Sequence, residues 1–317
     1  MADMSPKLSR AVRLQKKLHN SLWLDQANSL MKTAFNQWKV SQNLYVTQLL
    51  DEMVHSILFS GHIRNQLMKP EEIFEADMFG ILRCFFGGAF EGYKRRLPKR
   101  TPFSCLLELI VETKKDKTLV KNELSNIITK LRGKSTNQLV GRALCIIEEC
   151  QQISYGVSMP LAEKQFKKIW IALSCMHTWH PHVAYAVRKW TKGEECSVPF
   201  PNLEESCQAY VHNGKTLKST PPCISCCELF SMKHVHKKSR SHLYGNCAEA
   251  EAISKYLKLK CVPHLDEPTL ISDIKNDLKT KLETVKNSNF DPTVVYEPAP
   301  ISDDRIKLLF QQISGLL

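Results

Sequence analysis

No apolar run in this 317-residue sequence approaches the roughly 18 residues that a membrane-spanning helix needs, so no transmembrane segment is expected. An export signal is missing as well. Residues 1–23 hold five basic side chains (Lys7, Arg10, Arg13, Lys16, Lys17) and Asp3, without the apolar core of a signal peptide. Their apolar positions, Leu8, Ala11, Leu14, Leu18 and Leu22, recur every three or four residues, which reads as a folded first helix with a basic solvated face rather than a mitochondrial presequence. There is no Gly-rich phosphate loop, no Gly-x-Ser-x-Gly elbow and no His-Glu-x-x-His pair, so the chemistries those motifs carry have no support. Internal repeats and low-complexity tracts are also absent.

What is present is thiol and positive charge. Twelve cysteines in a chain with no export signal point to a reducing compartment, cytoplasmic and/or nuclear, where thiols stay free or bind metal. Cys84, Cys145, Cys150 and Cys175 sit among apolar residues and read as core. The net charge is +12, and residues 262–317 hold nine acids against six bases, so the first 261 residues carry +15. That balance favours an anionic partner such as nucleic acid, a nucleotide or an acidic surface.

Hydrophobic spacing from Lys7 to about Trp190 is helical, giving a mostly α chain with a multi-helix domain over 1–190. Helices are predicted over about 24–59, 71–87, 102–113, 118–132, 136–153, 161–176 and 181–190. Trp23, Trp38, Trp170, Trp179 and Trp190 fit helix cores better than a base-stacking platform. Past a Pro-containing linker, residues 196–265 read as a small α+β domain. Gln208 to His212 and Lys215 to Lys218 flank Asn213-Gly214, the signature of a hairpin with a type I′ turn. A helix is predicted from about 247 to 258, Leu259 to Val262 as a strand start, and 266–317 as a helical tail.

Two motifs in the α+β part carry chemistry: Pro222-Cys223-Ile224-Ser225-Cys226 and Cys247-Ala248-Glu249. A Cys-x-x-Cys at a helix start places two thiols close enough to share a metal, and the helix N-terminus favours the thiolate. Cys247 at a second helix start supplies a third sulfur. Three protein ligands leave the fourth position of a zinc ion for water, and Glu249 stands where it can move that water's protons.

These motifs resemble those of the cytidine deaminase superfamily, whose signature is His-or-Cys-x-Glu on one helix and Pro-Cys-x-x-Cys on another. The resemblance spans about residues 207–262, and the two motifs here stand in the opposite order. It implies Cys223, Cys226 and Cys247 as zinc ligands, Glu249 as proton shuttle, and hydrolytic deamination of a nucleoside or nucleic-acid base. The intervening basic segment, with Lys237, Lys238, Arg240 and His242, would then contact substrate phosphate.

The same residues admit a non-enzymatic reading: a helical scaffold or binding protein with a structural zinc or no metal. Asn246 and Glu249 can pair as a helix cap, Ser225 and Glu228 as a capping box, and Cys227, His234, His236 or His242 can close a four-ligand shell. Two further clusters stand out. Lys94 to Arg100 is a compact basic run, read as a nuclear import signal, a phosphate-contacting patch or a solvated loop. His177, His180 and His182 flank Pro181, read as a rigid turn with half-exposed imidazoles in preference to a second metal site.

Overall fold

The computed structural model describes residues 6–64, 68–132, 139–160, 163–196, 198–232, 242–263, 268–285 and 290–317. Among them the chain forms thirteen helices and one four-stranded sheet, the mostly helical class with a small α+β part that the periodicity predicts. The side chains of residues 6–19, including Leu8 to Leu18, lie outside the described set.

The N-terminal helices are α1 (Pro6–Trp38), α2 (Leu44–Arg64), α3 (Pro70–Ile73), α4 (Ala76–Phe85), α5 (Gly87–Gly92), α6 (Pro102–Lys114) and α7 (Lys117–Arg132). The helix predicted over 71–87 is thus interrupted. Helix α2 is buried at every position from Leu49 to Ile63, because α1, α3, α5, α6 and α13 (Asp303–Leu316) all pack on it. Its two acids are partnered, Asp51 accepting the Tyr296 hydroxyl at 2.7 Å and Glu52 pairing with Arg100 at 2.9 Å, and the His55 ring stacks on Tyr296 with centroids 4.0 Å apart. Helix α6 starts where Thr101 accepts the Ser104 amide and Pro102 fills the first turn; it ends at Lys115 in the left-handed region, φ 56°.

The region predicted as a helix over 136–153 is instead a β-hairpin. Strands β1 (Ala143–Glu149) and β2 (Gln152–Val157) pair antiparallel, with Glu149 opposite Gln152. The two-residue loop is Cys150-Gln151, both at positive φ (49° and 66°), the primed-turn geometry that matches strand twist. β3 (Cys207–His212) pairs with β1, and β4 (Leu217–Thr220) with β3, giving the order β2-β1-β3-β4. The predicted hairpin is present, but with His212 opposite Leu217 its loop has four residues. Only Gly214 is at positive φ there, and Asn213 Oδ1 accepts the amides of Lys215 and Thr216. The sheet therefore joins strands from both sides of the 191–201 segment. Both its faces are covered: Leu144 and Ile146 belong to the N-terminal helical core, and Cys145 and Ile147 to a second core.

That second core is built by α9 (Pro181–Lys192), α10 (Ile224–Phe230) and α11 (Ala248–Leu259), with part of α8 (Lys164–His177) and α12 (Pro268–Glu283). Helix α11 lies across β2 and β1. Gly156 allows this, since a Cβ there would meet Ala248 O at 2.3 Å and Ala252 N at 2.4 Å. Residues 260–262 form a turn rather than the predicted strand start. The C-terminal stretch returns to the helical core: Leu97 and Val295 form a parallel bridge, α12 lies on α8, and α13 on α4 and α2. No helix among the described residues is long and apolar enough to cross a membrane.

Two corrections concern cysteines: Cys84 and Cys150 are exposed, whereas Cys145 and Cys175 are buried as expected. Because the atoms facing Gly156 are backbone, Gly156→Ala is expected to lower stability by about 1–3 kcal/mol in a urea melt. An unchanged midpoint would show that α11 can shift on the sheet without loss.

Candidate metal centre

Cys223 and Cys247 are both N-cap residues, of α10 and α11, and each has extended backbone with no hydrogen bond from its side chain to the helix. Their sulfurs are turned to each other instead, 3.5 Å apart. Cys226, one turn into α10, brings the third sulfur, and all three Sγ atoms lie within 4.8 Å of one another. A metal at roughly 2.3 Å from each of three thiolates in tetrahedral geometry needs sulfurs roughly 3.8 Å apart, and the trio is grouped on that scale. All twelve cysteines are free thiols. The cluster is the only group of three or more potential ligands converging in this way among the described residues.

The electrostatics favour an anionic site. The Cys223 thiol is driven far below its ordinary value by hydrogen bonds from Cys226 and Cys247, and the latter two are held protonated in return. A shared proton network of this kind is what a cation replaces on binding. His242 lies exposed at the rim, its imidazolium favoured by a hydrogen bond to Cys223. Glu249 is 5% exposed at the second residue of α11; burial, and then the nearby Cys223 thiolate, push its carboxyl up to about 7.

The two capping alternatives are not realised. Asn246 precedes the N-cap, and its Oδ1 is buried without a partner. Ser225 lies inside α10, where its hydroxyl donates to the His242 carbonyl at 2.6 Å and accepts the His242 amide at 2.9 Å, while Glu228 accepts the Tyr244 hydroxyl at 2.8 Å. Ser225 thus ties α10 to the strand of chain that leads into α11. Gly245, at φ 79°, completes that approach, since a Cβ there would meet Ile171 at 2.9 Å and Trp179 at 3.1 Å.

Cys227 is not part of the converging trio, and burial raises its thiol. Lys237, Lys238 and Arg240, with His234 and His236, lie outside the described residues. His177, His180 and His182 form no metal group: His180 caps α9 by accepting the His182 amide and faces the Val262 carbonyl at 3.1 Å. His180 and His182 are buried at 1% and 9% exposure, not half-exposed, because α11 and the turn after it cover them.

Compared with protein-family models, curated proteins and solved structures, the chain matches none. The site rests on its own geometry.

Four neighbours have no signal in the sequence, being distant along the chain. Lys167 of α8 has its ammonium disfavoured by burial and favoured by Cys247. Cys145 and Cys207, on β1 and β3, put their sulfurs 3.4 Å apart, and Cys145 is buried close enough to Glu249 and Cys247 for their charges to raise it further. Met159, after β2, donates its amide to the Asn246 carbonyl at 2.9 Å and so fixes the residue before Cys247. Elemental analysis of the purified chain should show metal lost on Cys223→Ser, Cys226→Ser or Cys247→Ser and kept on Cys227→Ser or Cys207→Ser. Equal loss in all five would dissolve the assignment of the trio.

Proposed function

We propose that this chain is a zinc-dependent hydrolytic deaminase of a nucleoside or nucleic-acid base, working in a reducing compartment of the cytoplasm or nucleus. The observation that carries the reading is the buried Glu249 carboxyl beside three converging thiols. A carboxylate costs several kcal/mol to bury, and among the described residues this one is offset only by its own amide, Cys226 and His242, with no lysine or arginine paired to it. Proton transfer at the metal gives it a role.

Zinc held by Cys223, Cys226 and Cys247 would supply Lewis acidity and an activated water. The protein's own part is proton movement. Glu249 takes a proton from the attacking water and delivers protons to the ring nitrogen and the departing amine, so that water is consumed and ammonia released. His242, exposed at the rim beside Cys223, is placed to meet substrate. The basic balance of the first 261 residues suits an anionic substrate such as a nucleotide or nucleic acid.

His242 also favours a second reading, because its hydrogen bond to Cys223 puts a fourth potential ligand at the trio and would make the zinc structural. Two variants separate them. Glu249→Gln should keep zinc and the fold while lowering ammonia release by a factor of about 10² or more on nucleosides and single-stranded oligonucleotides. His242→Ala should also keep zinc. Loss of zinc in the histidine variant, or no base deaminated by the wild-type chain, would sink the enzymatic reading.

A further inference from the structure

A cavity of about 570 Å³ opens on the other face of α11, between α6, β2 and the end of α8. None of Cys223, Cys226, Cys247 or Glu249 lines it. It is bordered instead by Glu251, Ser254, Lys255 and Lys258, a stripe at three- and four-residue spacing on the side of the helix away from Glu249. Its volume is that of a small-molecule site, and its walls mix apolar side chains (Val111, Ile153, Met159) with rings. Tyr45 is 46% exposed at this cavity.

Four cations and two carboxylates line the space. Two of the cations are consumed by acids: Arg100 pairs with Glu52 at 2.9 Å and Glu108 at 3.7 Å, and Lys255 with Glu108 at 2.5 Å and Glu251 at 2.8 Å. Glu251 is saturated further by the Ser104 hydroxyl and the Val157 amide. That leaves Lys99 and Lys258. Lys99 meets Glu297, whose side chain is 68% exposed, a pair of the kind that adds little. Lys258 has the Thr178 carbonyl at 2.5 Å and, among the described residues, no carboxylate partner; partial desolvation and then Arg100 and Lys255 disfavour its charge. Beside them His177, kept neutral by burial and by Lys99, has a buried Nε2 with no partner.

We propose that this cavity binds a nucleoside monophosphate, separately from the cysteine cluster. A phosphomonoester carries about −1.5 to −2 charge at neutral pH, which suits Lys258 together with Lys99, whose exposed partner Glu297 is readily exchanged for phosphate. The Tyr45 ring, exposed at the mouth, offers a face for the base. Within the basic run 94–100, Lys99 thereby acquires a phosphate-contacting role, while Arg100 lines the cavity paired with its acids.

Isothermal titration of the full chain with adenosine and cytidine 5′-monophosphates, the matching nucleosides and inorganic phosphate tests this. The monophosphate should bind about tenfold or more tighter than its nucleoside, as expected when one or two charge-assisted hydrogen bonds are added. Lys258→Gln and Lys99→Gln should each weaken the nucleotide about fivefold or more. Tyr45→Ala should weaken the nucleotide but leave inorganic phosphate unchanged, and Cys223→Ser should change neither. Absence of nucleotide binding, affinity indifferent to the phosphate, binding that survives both lysine substitutions, or binding lost with Cys223→Ser overturns the proposal. Because Lys258 is exposed, its replacement does not endanger the fold.

Discussion

The seating of α11 on β2 governs the rest of this molecule. Helix and strand approach until backbone faces backbone at Gly156, and no side chain separates them. Such a contact fixes the height of the helix over the sheet but not its rotation about its own axis. Rotation is set by charge. Glu251 receives Ser104, Val157 and Lys255, Lys255 also reaches Glu108, and Arg100 links Glu108 to Glu52 on α2. Buried ions are tolerated only where each is multiply satisfied, and here they are. A helix so pinned must turn the opposite face, with Cys247 and Glu249, toward α10.

The metal centre is thus assembled from two helix starts whose positions have different origins. The start of α11 is inherited from the sheet and the ionic network. The start of α10 is set by β4, which precedes it, and by the two-way hydrogen bonding of Ser225 with His242. Both cysteines stand at helix N-termini, whose positive ends favour thiolate over thiol. Cys145 and Cys207 line the sheet side of the same core, and burial raises the Cys145 thiol, so the centre is backed by apolar packing.

How much of this was legible depends on sequence distance. The three cysteines and Glu249 lie within one short stretch at helix starts, and local spacing sufficed to group them. β1 was misread because helices cover both faces of the sheet: Leu144, Cys145, Ile146 and Ile147 are all buried, so no alternation marks a strand. Its turn is Cys150-Gln151, which has the positive φ of a hairpin without the glycine or asparagine that signals one. The roles of Lys167, Met159 and the Ser104–Glu251 contact depend on pairings across scores of residues, which no local pattern records. Likewise Ser225 and Glu228 look like a capping box in sequence, and only the chain folded over them shows their hydroxyl and carboxylate engaged with His242 and Tyr244.

The reversed motif order has a consequence for folding. Cys223 and Cys247 are 24 positions apart, with Cys226 between them, so an ion bound by the trio ties together one short segment. The entropy of closing a loop grows only with the logarithm of its length, so this ring is an inexpensive one to close. The sheet, by contrast, unites β1 and β3 across more than fifty residues, and none of the three sulfurs lies on it. Closing the ring around an ion would thus be a local event on a platform that the sheet supplies independently.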